Sequence, residues 1–444
     1  MKRTNQLKAL LVAALTAWSC APEASAKILS ITDASSDPGA QFNLTAGSGR
    51  ISTPDGNTTL FWGLADASAG TPVQYPAPTL EVNEGDVVTI TLTNSLSALP
   101  ASVSVPVSLI FPGQGPVIAA EVLAPTQLGL LADKEALPGG AVSYTFTASH
   151  PGTYVYQSGT QPDLQVEMGL VGALIVRPAG FDATVPANRR AYGHADSMYD
   201  REYLFLTTEV DPRIHRLVET GKLAEVDSNN FFPVYWLLNG RGAPDTLQVA
   251  GAAWLPNQPY NCLPQMHPTE RVLLRLVGGG RDYHPFHTHG QHMLTLARNG
   301  RLLSTAPASA GADLAHKVFT TQLAPGQTVD GLFTWDGARL GWDIYGHAEG
   351  DPLVPGEFAP DHGKPVPVLL PETLDLTLGG FWTGSPFLGQ LLALPPGQGG
   401  LNPNGAYTFM WHSHTEKELC NNDIFPGGLM TMLVVEAPWI EITE

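Results

Sequence analysis

Two stretches of this 444-residue chain follow one plan, and that repeat restricts it to folds that can be built twice. In the first, Gly152-Thr153-Tyr154 opens a strand ending in Tyr156-Gln157-Ser158-Gly159 and passes Met168-Gly169-Leu170. It closes on the apolar run Ala173-Leu174-Ile175-Val176. In the second, Gly405-Ala406-Tyr407 leads to Trp411-His412-Ser413-His414, passes Gly427-Gly428-Leu429-Met430 and closes on Met432-Leu433-Val434-Val435. Upstream of the first copy, Leu80 to Leu92 alternates apolar and polar residues with period two, as a half-buried strand does. Glu270 to Leu276 is its counterpart. Two homologous β-sandwiches explain the repeat most economically.

Composition agrees. Only 14% of residues are charged, and 46 Gly with 38 Pro imply short strands joined by many turns. The expected class is all-β, with one short helix over 215–226. The first sandwich is placed at 27–178 and a Pro/Gly/Ala-rich linker at 179–200. The second is placed at 201–444, carrying a long Gly/Pro-rich insertion at about 340–405. Residues 1–26 have the pattern of an export signal: Lys2, Arg3 and Lys8, an apolar run from Ala9 to Trp18, then Ala24-Ser25-Ala26. Cleavage after Ala26 would give a secreted or periplasmic protein. The apolar run is too short to span a bilayer. A formal net charge of −18 opposes binding to nucleic acid or an anionic membrane.

Two elements carry metal-type chemistry. His284-Pro285-Phe286-His287-Thr288-His289-Gly290 is answered some 120 positions later by His412-Ser413-His414. Alternate residues of a strand share a face, so His287 and His289 aim at one point, as do His412 and His414. Imidazole suits copper, zinc, nickel and iron. The five residues His284, His287, His289, His412 and His414 are the candidate metal ligands. His292 is expected on the opposite face, and His267, His347 and His362 lie in or before loops that could approach the site. Met430 and Met432 are expected to fill core space. Past the export segment, Cys262 and Cys420 remain. They could pair as a disulfide in an oxidising compartment, stay as buried thiols, or supply Cys420 as a soft ligand.

The chain resembles the multicopper oxidases, which are built from cupredoxin-like Greek-key β-sandwich domains, and it fits a two-domain member over nearly its whole length. His-Pro-x-His-x-His-Gly is a specific motif of their last domain, met here by His284, His287 and His289. The resemblance implies that His284 binds the electron-accepting type 1 copper, and that His287 and His289 bind the oxygen-reducing cluster. His412 and His414 match further cluster ligands. Ser413, however, stands where the family has its copper-binding cysteine, and Glu418 stands where the next type 1 His is expected. A serine hydroxyl cannot replace a thiolate on copper, so no blue copper centre is expected. The first sandwich lacks the matching histidines as well, with Gln157 and Gln161 where imidazoles would be.

Copper is therefore the expected cofactor, in a reduced, His-only site. An oxidoreductase acting on a small molecule or metal ion is the leading reading, and the resemblance implies a homotrimeric ring. A non-catalytic copper-binding protein outside the cytoplasm is the alternative, and a scaffold with a relic site is a third. His284 with Glu418, and Glu416 beside them, could instead make a harder nitrogen and oxygen site. Glu416 and Glu418 as solvated loop carboxylates beside Lys417 is the plainer expectation.

Overall fold

The computed structural model describes residues 28–32, 39–96, 105–343, 347–348, 350–353, 357–365, 407–436 and 440–442. The export segment, with its cleavage site, and most of the 340–405 insertion lie outside the described residues.

The all-β reading holds, and the repeat extends through both sheets of each half. In the first half, Leu80–Asn83 runs parallel to Val171–Arg177, which pairs antiparallel with Gly152–Gln157. In the second, Gln265–Met266 runs parallel to Met430–Val435, which pairs antiparallel with Tyr407–Ser413. The opposing sheets repeat too. Val87–Asn94 lies between parallel Ala40–Ser52 and antiparallel Ala141–Thr147. Arg271–Gly278 lies likewise between parallel Arg201–Val210 and antiparallel Thr328–Thr334. The second half adds His284–Thr288 and Thr320–Leu323 beside the Tyr407–Ser413 strand.

The alternating run Leu80 to Leu92 is not one strand. It breaks at Gly85 (φ +95°), where the Asp86 N–H donates to the Asn83 carbonyl, and its two parts enter different sheets. Period-two patterning survives the break because both parts bury alternate residues against the same core. The expected helix also starts earlier: it spans Pro212–Glu219, capped by the Asp211 carboxylate on the Arg213 N–H. Pro at the first helical position and Gly221 (φ +74°) past the end fix its limits. A separate turn of 3-10 helix follows at Leu223–Glu225.

The halves meet through an apolar seam and a buried ionic network. Val155, Val171 and Ile175 of the first pack against Leu204, Leu206 and Val277 of the second. Beside them Glu202 accepts from Arg177 and from Arg275, each at 2.6 Å. Arg275 also donates to Thr153 Oγ1 (2.9 Å), whose hydroxyl bonds Asp330 (2.6 Å). Burial alone would raise the Glu202 carboxyl, but the two guanidinium groups hold it down to about 2. Between the sheets' chain segments, Ala191, Tyr192 and Tyr199 of the 179–200 stretch pack on Leu273, Leu296 and Leu332.

The two cysteines are not paired. Cys262 is buried in the core of the second half with its thiol 3.1 Å from the Leu238 carbonyl. Burial pushes that thiol up to about 12. Cys420 ends the 3-10 turn Glu416–Leu419 and stays partly exposed.

Candidate metal centre

The histidine cluster is assembled by strand register. His287 lies directly opposite His412 in the antiparallel pair, and Phe286 lies opposite Ser413. Thr320 flanks His287 on one side and Met430 flanks His412 on the other. These four residues form a row on the outer face of one sheet. The opposite parity, Phe286, Phe409, Trp411 and Leu433, turns into the core. Met430 and Met432 thus sit half-buried on the outer side rather than in the core, while Thr431 and Leu433 point inward. Beyond the strand end, His289 turns back over the row, and Gly290 (φ +96°) packs its bare Cα side on Phe409.

One ring nitrogen from each of His287, His289 and His412 lies within 4.8 Å of the other two. The His289 and His412 Nε2 atoms approach to 3.1 Å. His414 is exposed at the rim, with its ring centroid 4.9 Å from that of His287 and 5.6 Å from that of His412. The other nitrogens of His287 and His412 are tied down. His287 Nδ1 meets Thr320 Oγ1 at 2.9 Å, and His412 Nδ1 meets the Ser413 carbonyl at 2.6 Å. Trp411 donates its indole N–H to the His289 carbonyl (3.1 Å), bracing the loop. Partners of this kind orient metal-binding imidazoles.

The rings are poised as neutral donors. Burial, then the neighbouring His412 and His414, lowers His287 to about 4. Burial, then the other three rings, lowers His289 to about 3. Burial lowers His412 too, against the pull of its bond to the Ser413 carbonyl. Neutral imidazoles whose nitrogens converge on one point fit a borderline transition ion.

His284 is not part of this group. Its parity is even where that of His287 and His289 is odd, so its ring enters the core. There Nδ1 meets Glu418 at 2.9 Å and Nε2 meets Glu209 at 3.0 Å, all three side chains being almost fully buried. Burial would lower this imidazole, but the two carboxylates raise it to about 9. Both ring nitrogens are therefore occupied by carboxylates. Glu418 is no solvated loop residue; its neighbours Glu416 and Lys417 are exposed, and the Lys417 ammonium lies over the Trp236 ring. Ser413 is buried on the same inward face as His284.

The other histidines are placed elsewhere. The strand stops at Thr288, so parity does not carry to His292, whose ring stacks edge-on to Phe319 at 5.5 Å. Phe319 in turn edges onto His287 at 5.8 Å. His267 pairs with Glu270, and His347 and His362 face Asp343 and Glu357. In the first half, Gln157 holds the place of His412: Ser158 N–H bonds Leu170 O as Ser413 N–H bonds Leu429 O. Gly159 then stands for His414, and Ile110, bridged to Gln157, stands for His287. Gln161 does not stand at an imidazole position but precedes the short helix Pro162–Gln165.

No family model matches the chain, and no curated protein sequence does. Solved structures do. The blue copper oxidase from Nitrosomonas europaea is similar with a TM-score of 0.53 at 18% identity, over 88% of this chain and 85% of that one. The multicopper oxidase mgLAC gives 0.54 at 16% identity, over 91% and 88%. A further multicopper oxidase gives 0.50 at 15%, over 92% and 93%. The chain has the multicopper-oxidase fold. Within that fold, the clustered histidines lie in the second half, and His150 is the one histidine of the first. Thr320, Phe319 and Glu209 complete the surroundings and were not singled out from sequence. Nothing local marks them: Thr320 and Glu209 act 33 and 75 residues away from the rings they touch.

Proposed function

We propose that His287, His289 and His412 hold copper, with His414 available from the rim, and that the protein is an extracytoplasmic copper oxidoreductase lacking a type 1 centre. The convergence of three neutral ring nitrogens on the outer face of one sheet carries this reading. Copper bound there would supply one-electron redox chemistry. The chain's own groups present the ion to solvent on the His414 side and wall it with Phe319. The place where the family resemblance puts the electron-accepting copper is filled by the Glu209–His284–Glu418 triad. A reductant would then meet the outer-face site directly. That closure also favours a second reading, a copper carrier that binds without turnover.

Export by residues 1–26 and assembly as a homotrimer belong to the same proposal. The first-half equivalent of the cluster has an exposed apolar rim, Leu128, Leu130 and Leu131, at 82%, 95% and 55% exposure. A neighbouring subunit's sheet face would cover it. Among the described residues no helix is long and apolar enough to cross a membrane.

Copper analysis of the purified protein, an absorption spectrum and oxygen uptake with phenolic or metal-ion substrates test the proposal. Bound copper without an intense blue band, with oxygen consumed, is the expected result. Copper bound without oxygen uptake selects the carrier. No copper uptake from a copper-supplemented buffer refutes both.

A further inference from the structure

The described part of the insertion brings together a second, different set of donors. One atom from each of Asp343, His347, Glu357 and His362 lies within 4.8 Å of the other three. His347 Nδ1 is 3.1 Å from Asp343 Oδ2 and 3.2 Å from Glu357 Oε1. His362 Nδ1 is 2.6 Å from Glu357 Oε1 and 3.7 Å from Asp343 Oδ2. Both rings therefore direct the same nitrogen at the same two oxygens.

The Asp343 and Glu357 side chains are only 0% and 4% exposed, so the two carboxylates lie side by side largely out of water. Positive charge beside them, from a protonated imidazole or a bound cation, stabilises carboxylates so placed. The His362 ring is oriented from its far side. Its Nε2 lies 2.8 Å from the Asp351 carbonyl oxygen, which only accepts, so Nε2 keeps its proton. The other ring nitrogen, Nδ1, is turned at the Glu357 carboxylate. One positive centre shared by all four donors would meet both carboxylates and both Nδ1 atoms at once.

The spacing fits such a centre. A tetrahedral ion with bonds of about 2.0–2.1 Å needs donors about 3.4 Å apart, and the four imidazole–carboxylate separations fall on either side of that. The outer supports are also present. The Asp351 carbonyl fixes the His362 ring, and the Gly363 N–H donates to Asp343 Oδ2 at 2.8 Å. Trp342, next to Asp343, is buried and stacks on Tyr407, the first residue of the strand that carries His412.

We propose that Asp343, His347, Glu357 and His362 form a closed structural site for one divalent transition ion, zinc being the best match, which fastens the insertion to the second sandwich. Two imidazoles with two carboxylates suit zinc, and the absence of a thiolate disfavours copper(I). The site is separate from the histidine cluster and does not depend on what that cluster binds.

The test uses the full chain with His287→Ala and His412→Ala, so that the cluster cannot take up the probe. After chelation and dialysis the protein is titrated with zinc by calorimetry and with cobalt(II) by visible absorption. One equivalent of zinc per chain and the intense visible bands of tetrahedral cobalt are expected. Both should vanish when His347→Ala and His362→Ala are added, with circular dichroism confirming the fold. Should that variant not fold, the near-isosteric Glu357→Gln in the same background is measured instead. Its zinc Kd should rise by roughly 10- to 100-fold or more, since even loss of an outer partner costs that much. No zinc uptake by the starting variant, or unchanged uptake after either substitution, overturns the proposal.

Discussion

The Glu209–His284–Glu418 triad makes stability depend on pH in a direction opposite to that of most buried ion pairs. His284 is raised from an ordinary 6.5 to about 9. A raised pKa means the folded state holds its proton more tightly. The contribution is thus complete below about pH 6 and is lost as pH climbs through 9. A shift of that size is worth about 3 kcal/mol, of which roughly 2.5 kcal/mol remains at pH 7 and almost none at pH 10. The triad is almost fully buried, so solvent screening does not reduce this further. His284→Gln keeps a hydrogen-bonding side chain but cannot titrate. Urea unfolding followed through tryptophan fluorescence, on chelator-treated protein at pH 7, 8.5 and 10, should show wild type losing about 2.5 kcal/mol more than the variant over that range. At pH 7 the variant should be weaker by about 3–5 kcal/mol, the cost of leaving buried charges uncompensated. Selective 15N-histidine spectra give the same answer at the ring, with one imidazole titrating near 9 that is absent from the variant. Parallel pH profiles for the two proteins, or titration of His284 at or below 7, would refute the reasoning.

The interface between the halves should fail at the acid end. Glu202 falls from an ordinary 4.5 to about 2, so its contribution of about 3 kcal/mol is present above 4.5 and lost as pH drops towards 2. Glu202→Gln should therefore flatten the acid limb of the unfolding curve, measured between pH 5 and 2. Cys262, buried with its thiol pushed up to about 12, should resist iodoacetamide in the native protein while Cys420 is alkylated, as peptide mass spectrometry would show. Ser413→Cys alone should create no blue copper band in the presence of copper, because both nitrogens of His284 stay bound to Glu209 and Glu418. An intense band in that variant would show that the triad opens readily.

Much of the second half was legible because strand parity is a rule about neighbours. His287 and His289, and the opposition of His412, follow from period two and a correct pairing of strands. The same rule places His284 on the other face, since 284 and 287 differ by an odd number; the family motif groups residues that the strand separates. What decides the fate of His284 lies 75 residues upstream in Glu209, and no local pattern announces a carboxylate at that distance. Parity also misled wherever the chain turned. Gly85 split one alternating run between two sheets, and Gly290 ended the strand before His292. The helix at 212–219 had its signal in Asp211-Pro212, a cap followed by proline at the first turn. Gln161 looked equivalent to a lost imidazole only when Gly-x-Tyr was used to align the halves. The hydrogen bonds of Ser158 and Ser413 set a register two residues away from that alignment.

Crystals soaked in copper, with anomalous differences collected on both sides of the copper edge, test the central claim most directly. A peak enclosed by the rings of His287, His289 and His412, with none between Ser413 and His284, is the expected map. A peak beside Ser413 and His284 would contradict the account, as would no ordered copper at the three-ring site in fully soaked crystals.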